Sequence, residues 1–448
     1  MNEPLRQARR RHRPMEPIDC TIESLSHEGR GVAHHEGRVV FVEGALPGEQ
    51  VRVQIQRKQS RFVEGRVLEV YRASADRCQP ACVHADVCGG CSLQHMDSEA
   101  QLLFKQQVLA EQLQHFGQTC PKVWIKPLHA ERLGYRRKAR LGVRFVHKKD
   151  AMLVGFREKN SNFLTEMSSC PVLDPRLGTR IEDLKHMLAG LSIREQIPQI
   201  ECAAGDDAVV VIFRHLVDLP EQDRDRIVQF CTVQGWQAWG QRGGTETQRP
   251  LAGTHPDGEW LHYSLPDHQL TMRFHPSDFT QVHAGINRGM LNLAVELLEI
   301  EPHHQVLDLF CGLGNFTLPL ARRAAHVIGV EGSTLMTERA MYNAQHHGLN
   351  NVSFYADNLM EEPWQAAWAA RTYDRLLLDP PRSGAEWVVR QIGRWQIRRL
   401  VYVSCNPATL ARDAGILCAQ GYVMEQAGVM DMFPHTSHVE SIAVFERN

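Results

Sequence analysis

The sequence contains no apolar run of membrane-spanning length, and its N-terminal residues lack the hydrophobic core of a signal peptide. It also has no excess of either charge, because 50 lysines and arginines stand against 52 aspartates and glutamates. Net charge therefore gives no reason to expect a nucleic-acid partner, and such a contact must come from local clusters. We expect a cytoplasmic protein with no membrane association. In that reducing compartment the 12 cysteines are metal ligands, catalysts or core residues in preference to disulfides.

Basic residues do cluster in two segments of the chain. With 448 residues the sequence is too long for one compact core, so two to four domains are expected. Residues 1–13 form a predicted basic arm that contains Arg6, Arg9, Arg10, Arg11 and Arg13. A second segment, 122–159, is also rich in lysine and arginine. Both could follow the phosphates of RNA or DNA, and a solvated surface is the alternative interpretation.

Residues 14–73 alternate apolar and polar side chains between glycines. Four or five short strands at this spacing predict a small antiparallel β-barrel. The turns at 28–33 and 45–49 resemble those of a TRAM domain, an OB-like module that binds RNA. The alternative is a barrel of the same kind without a ligand.

Three cysteines follow in one short segment, Cys82, Cys88 and Cys91, with glycines at 89 and 90. Thiolates this close in sequence can bind one metal centre, and glycines let the loop wrap around it. The best candidate for a fourth ligand is Cys170, just before a proline, although Cys78 and Cys120 compete with it. Zinc usually uses two separated close pairs, so the spacing favours an iron–sulfur cluster, with zinc and unligated thiols as alternatives. The C-x3-C-x2-C triplet of radical-generating clusters is absent.

The middle of the chain carries few chemical signals. Residues 97–116 have the periodicity of an amphipathic helix. From 133 to about 270, strand-like and helix-like segments alternate, which predicts an α+β region. Apart from Cys170, no candidate catalytic group is found there.

From residue 271 onwards the pattern becomes a regular alternation of strands and helices. The apolar strand at 305–310 enters a glycine turn at 311–315, a geometry that lets the backbone approach a nucleotide-like cofactor. Glu331 ends the next strand, where an acid can bind ribose hydroxyls, and Asn358 follows the third. Asn315 stands where a dinucleotide site would continue towards a third glycine, so S-adenosylmethionine is the favoured cofactor. Seven predicted strands indicate an α/β class I (Rossmann-like, seven-stranded) methyltransferase domain.

Two apolar strands, at 376–379 and 401–404, each end in polar residues followed by proline. Ligands bind at the carboxyl ends of parallel strands, so Cys405 can reach a substrate there. A buried, inert thiol is the alternative. A thiolate suits conjugate addition to C6 of uracil, which makes C5 nucleophilic, and Glu440 is the candidate base for the C5 proton. The alternative for Glu440 is an ordinary strand-end acid. Arg382 replaces the aromatic residue of amino-group methylases, which disfavours an amine acceptor.

These motifs together resemble the RNA uracil-5-methyltransferases over nearly the whole chain. The segments that carry the resemblance are Phe279–Val282, Asp308–Phe316, Asp379–Arg382, Ser404–Pro407 and His438–Glu440. The TRAM-like segment and the cysteines are similar to the branch that methylates uridine 1939 of 23S rRNA. The same chemistry on a tRNA or another rRNA uridine, or a non-catalytic RNA-binding assembly factor, are the alternatives.

The resemblance implies specific roles for the candidate residues. Cys405 is the implied nucleophile and Glu440 the implied base. The implied S-adenosylmethionine contacts are Gln281, Phe310, Asn315, Glu331, Asn358 and Asp379. A [4Fe–4S] cluster is implied on Cys82, Cys88, Cys91 and Cys170. No obligate protein partner is expected beside the 23S rRNA.

The resemblance also implies a domain scheme in which two domains are discontinuous. The TRAM domain takes 14–73, an α+β iron–sulfur central domain takes 74–96 and 132–270, and the methyltransferase domain takes 97–131 and 271–448. The helix at 97–116 would therefore pack with the C-terminal part of the chain. A flipped uracil could be held by Phe274, Phe279 or Arg382, although core packing is the favoured role of both phenylalanines.

Overall fold

The computed structural model describes residues 15–253, 259–361 and 364–447. The basic arm predicted at 1–13 lies outside these residues. By Cα proximity the chain divides into two units, the first formed by 1–80, 91–100 and 435–437 and the second by 81–90, 101–434 and 438–448. Within the described part of the chain, no helix is both long and apolar enough to span a membrane.

The first unit contains a six-stranded sheet with the order β1-β5-β6-β4-β3-β2. Its strands are β1 (Ile18–Thr21), β2 (Ser24–Leu25), β3 (Gly31–His35), β4 (Arg38–Glu43), β5 (Gln50–Lys58) and β6 (Phe62–Arg72). Alternate side chains such as Val40, Val42, Val51 and Val53 are buried, which forms a small apolar core. Two details of the prediction are wrong, because there are six strands and because β4 and β6 pair in parallel.

Helix α1 (Ser98–Gln112), of which residues 101–112 belong to the second unit, continues as one π-helical turn to Gly117. The end of this helical segment lies close to the C-terminal part of the chain, because a Cβ atom on Gly117 would lie 2.7 Å from the carbonyl oxygen of Ala411. A two-residue strand, β7 (Val123–Trp124), follows.

The middle of the second unit is built on a six-stranded mixed sheet with the order β13-β12-β11-β10-β8-β9. Its elements are β8 (Lys138–Val146), β9 (Ala151–Gly155), α2 (Pro175–Gly178), α3 (Ile181–Ala189), β10 (Gln199–Ala204), β11 (Val209–Arg214), α4 (Glu221–Val233), β12 (Trp236–Gln241) and β13 (Arg249–Pro250). A separate hairpin, β14 (Leu261–Leu265) and β15 (Leu270–Phe274), leads out of this region. Sheet and helix are thus mixed here, as the α+β prediction requires.

The rest of the second unit is an eight-stranded sheet with the order β18-β17-β16-β19-β20-β22-β21-β7. Its elements after β15 are α5 (Ala284–Leu297), β16 (Gln305–Leu309), α6 (Thr317–Ala321), β17 (His326–Glu331), α7 (Thr334–His346), β18 (Val352–Ala356), β19 (Arg375–Leu378), α8 (Glu386–Gln391), β20 (Arg399–Ser404), α9 (Pro407–Ala419), β21 (Val423–Met430) and β22 (Glu440–Glu446). The strands from β16 to β20 pair in parallel, whereas β22 runs antiparallel to β20 and β21.

The seven strands expected after residue 300 are all present, but the predicted total of seven is wrong. The eighth strand is β7, which pairs in parallel with β21 through Val123 and Trp124. Two residues are too few to show an alternating pattern, so this strand left no signal in the sequence. The carboxyl ends of β16, β17, β19 and β20 lie along one edge of the sheet, where Asp308, Glu331, Asp379 and Cys405 stand at or near the strand ends.

Candidate active site

The turn after β16 brings the backbone close to β17. The amides of Phe310 and Cys311 both donate to the carbonyl of Val330, at 2.9 and 3.1 Å. Gly312 and Gly314 have φ angles of +55° and +89°, which side chains other than glycine rarely adopt. A Cβ atom on Gly312 would meet nothing within 4 Å, so this part of the turn borders open space. The glycine turn therefore leaves room for a ligand against its backbone.

Glu331 is held at the end of β17 by backbone donors. One carboxylate oxygen accepts from the amide of Gly312 at 3.1 Å, and the other accepts from the amide of Ser333 at 3.1 Å. Both oxygens keep unused acceptor capacity, since each carboxylate oxygen can accept two hydrogen bonds. Glu331 can therefore bind a pair of hydroxyl groups without leaving its position.

Three acids, Asp308, Glu331 and Asp379, interact electrostatically at this edge of the sheet. Burial raises the pKa of Asp308 to about 8, and the negative charges of Asp379 and Glu331 add to the effect. Burial alone raises the pKa of Asp379 to about 7. Asp308 accepts from the Thr317 hydroxyl at 2.5 Å, and its other oxygen has no hydrogen-bond partner among the described residues. A cation bound here would relieve this repulsion.

Asn315 and Gln281 are linked through two shared neighbours, Tyr263 and Asn287. The Asn315 oxygen accepts from the Tyr263 hydroxyl at 2.8 Å, and its amide nitrogen donates to Asn287 at 2.8 Å. Gln281 lines a cleft together with Tyr263, Asn287 and Arg288. These contacts bring two predicted cofactor residues from distant parts of the chain to one place.

Asn358 lies at the exposed end of the loop after β18. Its side-chain oxygen accepts from the amide of Met360 at 3.0 Å, so it is already used to stabilise a turn. The preceding residue, Asp357, accepts from the indole of Trp368 at 2.9 Å. Asn358 can still offer its amide nitrogen to a ligand.

Cys405 is half-buried in a loop that is tied to the segment after Asp379. The Asn406 amide nitrogen donates to the carbonyl of Arg382 at 3.0 Å, and its oxygen caps α9 by accepting from Ala408 at 3.1 Å. The Thr409 hydroxyl also donates to the Arg382 carbonyl, at 3.3 Å. The two loops are therefore held together around the thiol.

A buried carboxylate, Asp413, connects the same two loops through hydrogen bonds. It accepts from the Tyr402 hydroxyl at 2.6 Å and from the Ala385 amide at 2.7 Å. Arg412 donates to its other oxygen at 2.8 Å and also reaches the carbonyl of Ser383. Asp413 thus fixes the start of α8 against β20 and α9.

Cys405 and Glu440 lie side by side across β20 and β22. Ser404, the last residue of β20, pairs with Ser441 on the antiparallel strand β22. Cys405 directly follows Ser404 and Glu440 directly precedes Ser441, so the two lie next to this pair. Burial, followed by the charges of Glu440 and Asp379, raises the pKa of the Cys405 thiol to about 11, while Arg382 opposes the rise. Burial and Asp379 raise the pKa of Glu440 to about 8, while Arg382 and Lys105 oppose that rise. The site thus joins a neutral thiol to a carboxyl group that titrates near neutrality.

The family model described as tRNA (Uracil-5-)-methyltransferase matches residues 97–448, and a TRAM domain model matches residues 16–68. The chain belongs to the RNA uracil-5-methyltransferase family. It is therefore an S-adenosylmethionine-dependent RNA methyltransferase with a Rossmann-like catalytic fold and an N-terminal TRAM domain.

Relatives in this family match the chain almost from end to end. It is 50% identical over 440 residues to the 23S rRNA (uracil(1939)-C(5))-methyltransferase RlmD of Alcanivorax borkumensis, with 98% of each chain covered. The protein of the same name from Hahella chejuensis is 51% identical over 445 residues, with 98% of this chain and 99% of that one covered. The crystal structure of the Pyrococcus abyssi tRNA (uracil-54, C5)-methyltransferase in complex with S-adenosyl-L-homocysteine shares the fold. It superposes with a TM-score of 0.73 at 24% identity, covering 95% of this chain and 99% of that one.

Three of the four predicted cluster cysteines of this family member lie in the second unit. Cys82, Cys88 and Cys170 are all buried. Burial raises the pKa of the Cys170 thiol, and the charges of Cys82 and Cys88 add to the effect, so the three sulfurs are within electrostatic range. Cys91 is half-buried and belongs to the first unit.

Glycines pack closely around two of these cysteines, and the position of Gly178 leaves no room for a side chain. A Cβ atom on Gly90 would lie 3.5 Å from the Cys88 sulfur and 3.3 Å from the ring of Phe156. One on Gly178 would lie 2.2 Å from the carbonyl oxygen of Cys170, whose amide donates to Gly178 at 2.9 Å. The competing ligands Cys78 and Cys120 are both exposed.

The structure also differs from the sequence prediction at the aromatic residues near the cleft. Phe274 is 2% exposed and packs in the core, as expected. Phe279 is 76% exposed, so its expected role in core packing is wrong. Arg382 is exposed, and its guanidinium lies 3.3 Å from Nδ1 of His438.

The sequence prediction did not include two buried acids of the site, Asp308 and Asp413. An acid inside the apolar strand 305–309 was a usable signal for the first, whereas the second left none.

Proposed function

We propose that this family member methylates carbon 5 of uridine 1939 in 23S rRNA. The substrate is proposed from relatives of that name that are about 50% identical over nearly the full chain. The observation that carries the chemistry is the adjacent position of Cys405, directly after β20, and Glu440, at the start of β22, close to Asp379. A cytoplasmic location and independence of a protein partner are part of the same proposal.

S-adenosylmethionine, when bound, supplies the methyl group and a positive sulfonium charge. The residues proposed to hold it are Gln281, Phe310, Asn315, Glu331, Asn358 and Asp379. The fit of the site to this cation is supported by the repulsion of Asp308 by Asp379 and Glu331 and by the unpartnered oxygen of Asp308 within the described part of the chain. Glu331 suits a ribose because its two oxygens are fixed by backbone donors.

Cys405 and Glu440 are proposed to act at different stages of the reaction. The Cys405 thiol loses its proton to water, and the thiolate adds to C6 of the uracil, which pushes electron density onto C5. After C5 has taken the methyl group, Glu440 removes the remaining C5 proton. The electron pair of that C–H bond restores the C5–C6 double bond, and the bond from C6 to the Cys405 sulfur breaks. The sulfur leaves with the electron pair of the C6–S bond as a thiolate. Loss of the proton from Glu440 to solvent and protonation of the thiolate then regenerate the enzyme.

Formation of the Cys405 thiolate, the first step of the reaction, depends on the bound cofactor. Burial and two neighbouring carboxyl groups keep its pKa at about 11, so the thiol is neutral before binding. Arg382 and a bound sulfonium cation both favour the thiolate. We therefore expect the nucleophile to form only when the cofactor is in place.

Phe279 is proposed to stack on the target uracil after it leaves the RNA stack. Its ring is 76% exposed although it lies two residues before the cofactor candidate Gln281. Aromatic side chains on RNA-binding surfaces stack on unpaired bases. A base must be unstacked before a thiolate can reach its C6 atom.

A [4Fe–4S] cluster on Cys82, Cys88, Cys91 and Cys170 is a further part of the proposal, in a central domain at 74–96 and 132–270. The burial and mutual electrostatic influence of three of the thiols support it, as does the close glycine packing at Gly90 and Gly178. Cys91 is included because it follows Cys88 by three residues. Since the methyl transfer is redox-neutral, the proposed role is structural.

The cluster is tested on protein purified without oxygen, by iron and sulfide analysis and by its visible absorbance. Cys88→Ser is expected to lose the absorbance and to lower the melting temperature together, whereas Cys120→Ser should change neither. Zinc in place of iron would reject the cluster. Loss of catalysis in a Cys88→Ser protein that is fully stable and still binds RNA would reject the structural role.

The methylation itself is tested with a 23S rRNA fragment that carries 5-fluorouridine at position 1939. Fluorine cannot leave C5 as a proton does, so methylation should stop at a covalent complex. We expect a denaturation-stable adduct that mass spectrometry maps to Cys405 and to this nucleotide. An adduct only with fluorinated tRNA would reject the rRNA target, and no adduct with either RNA in cofactor-binding protein would reject the mechanism.

A further inference from the structure

Lys105, in the middle of α1, has a fully buried side chain. Its ammonium group donates to a carboxylate oxygen of Asp431 at 2.6 Å and to the carbonyl of Phe433 at 3.0 Å. Leu102 and Leu109, one turn away on either side, are buried as well, so the lysine stands on the apolar face of the helix. Burial of a cation is costly even when it is paired, and an apolar side chain would often be as stable there. Stability alone therefore does not explain this residue.

The ion pair lies directly beside the proposed base. Glu440 pairs with Met430 across β22 and β21, and Asp431 is the next residue after Met430. Burial lowers the pKa of Lys105, while Asp431 and, to a smaller extent, Glu440 favour its protonated form. The positive charge of Lys105 in turn favours the ionised form of Glu440. A residue from helix α1 thus acts electrostatically on a carboxyl group more than 300 residues later in the chain.

The other charges around Glu440 do not replace this cation. Asp379 and Cys405 lie on the neighbouring strand ends, and their negative forms disfavour its ionisation. Arg382 favours ionisation, but it is exposed on a loop and contacts His438. Burial and the charges of Arg382, Lys105 and Arg136 lower the pKa of His438, so this imidazole is neutral near pH 7. Of the cationic groups Lys105 and Arg382, Lys105 is the one that is buried and held by hydrogen bonds next to Glu440.

We infer that Lys105, held in place by Asp431, is a positioning residue that raises the ionised fraction of Glu440, the form that can accept the C5 proton. This inference rests on the proposed function, because it concerns the last step of that reaction. A protonated Glu440 cannot take the proton, so the bond between C6 and the Cys405 sulfur cannot break. Loss of Lys105 should therefore leave the addition and the methyl transfer in place and delay the elimination.

The test follows one turnover of the full chain with the rRNA fragment and labelled S-adenosylmethionine between pH 6 and 9.5. It measures separately the methylated covalent adduct and the released product. For Lys105→Met we expect the adduct to persist about tenfold longer at pH 7, the change that corresponds to one pKa unit on Glu440. Because removal of a positive charge raises the pKa of a carboxyl group, release should recover as the pH rises and Glu440 ionises.

A second variant separates this effect from a loss of folding. Lys105→Met leaves Asp431 buried without its partner, which can itself destabilise the protein. In Lys105→Met/Asp431→Asn both charges are removed, so the melting temperature should recover while the delayed release and its pH dependence remain. If the double variant regained the wild-type pH profile together with its stability, Lys105 would have only a structural role and the inference would fail.

The wild-type protein distinguishes failure of this inference from failure of the proposed function. If the wild type forms no adduct with 5-fluorouridine RNA, the proposed chemistry fails. If the wild type forms the adduct and Lys105→Met releases product with the same pH profile, only the role of Lys105 is rejected.

Discussion

The side-chain nitrogen of Asn406 donates to the carbonyl oxygen of Arg382 at 3.0 Å. This bond joins the loop that carries Cys405 to the loop that follows Asp379. The same amide caps α9, so one residue sets both the direction of the helix and the distance between the loops. The position of the proposed nucleophile thus depends on a residue that takes no part in the chemistry.

Replacement of Asn406 by alanine should therefore reduce both stability and methylation. Loss of the cap should cost about 1 kcal/mol. The rate of methyl transfer should fall by more than about tenfold, because a displacement of about 1 Å can cost about a hundredfold. The control is Asn406→Ser, whose hydroxyl can still cap α9 but is too short to reach Arg382. Recovery of stability without recovery of the single-turnover rate is expected, and equal recovery of both would contradict the positioning role.

Asp413 should matter more for stability than any single one of its partners. Its carboxylate accepts from Tyr402, Ala385 and Arg412 in a fully buried position. In Asp413→Asn one acceptor becomes a donor that faces other donors, and we expect a loss of about 3 kcal/mol in the free energy of unfolding. Tyr402→Phe removes one donor to Asp413 and a secondary acceptor of the Ala385 amide, which still donates to Asp413, and should cost about 1 kcal/mol. Denaturant titration measures both, and equal losses would contradict a central role for Asp413.

Elements and site residues could be predicted from the sequence where a short stretch of neighbouring residues carries the pattern. Apolar strands bounded by glycine and proline identified β16 to β22, and the residues after them identified the candidates at the edge of the sheet. Cys405 and Glu440 were paired from the chemistry of uracil C5 methylation and from the family resemblance, and the strand order brings the end of β20 next to the start of β22. Most of the cofactor candidates likewise came from the resemblance.

The sequence was insufficient where partners are far apart or a pattern is too short. Lys105 and Asp431 are separated by 326 positions, and nothing near either residue indicates the other. The strand β7 has two residues and shows no alternation. Phe279 was expected in the core because its residue type favours burial, but its position on a loop leaves it exposed.

Phe279→Ala should weaken RNA binding without affecting the fold. Stacking of a base on an aromatic ring contributes about 1–3 kcal/mol, so affinity for the rRNA fragment should fall by about fivefold or more. The free energy of unfolding should change by less than about 0.5 kcal/mol, as for other exposed positions. Val233→Ala, which changes a side chain that is 77% exposed on α4, serves as the control. Unchanged affinity and turnover in Phe279→Ala would exclude the stacking role.

Asp308 should make the protein without cofactor less stable as the pH rises. Its pKa in the folded chain is about 8, whereas an unfolded aspartate titrates near about 4. Since the folded form holds the proton more tightly, its contribution to stability is present below about pH 4 and is lost as the pH rises through about 8. Asp308→Asn should remove this dependence, so the variant without cofactor should become progressively more stable than the wild type over that range.

Asp308→Asn, although it should stabilise the protein without cofactor, should weaken the binding of S-adenosylmethionine. Asp308→Asn removes one of three negative charges around the proposed cation, so the affinity for S-adenosylmethionine should fall, while that for the uncharged-sulfur product S-adenosylhomocysteine should fall less. Asp207→Asn, at an exposed acid, is the control for a general change in charge. Calorimetric titration of both ligands at pH 8 measures the difference. Equal losses for the two ligands would mean that Asp308 supports the shape of the cleft and does not act on the sulfonium charge.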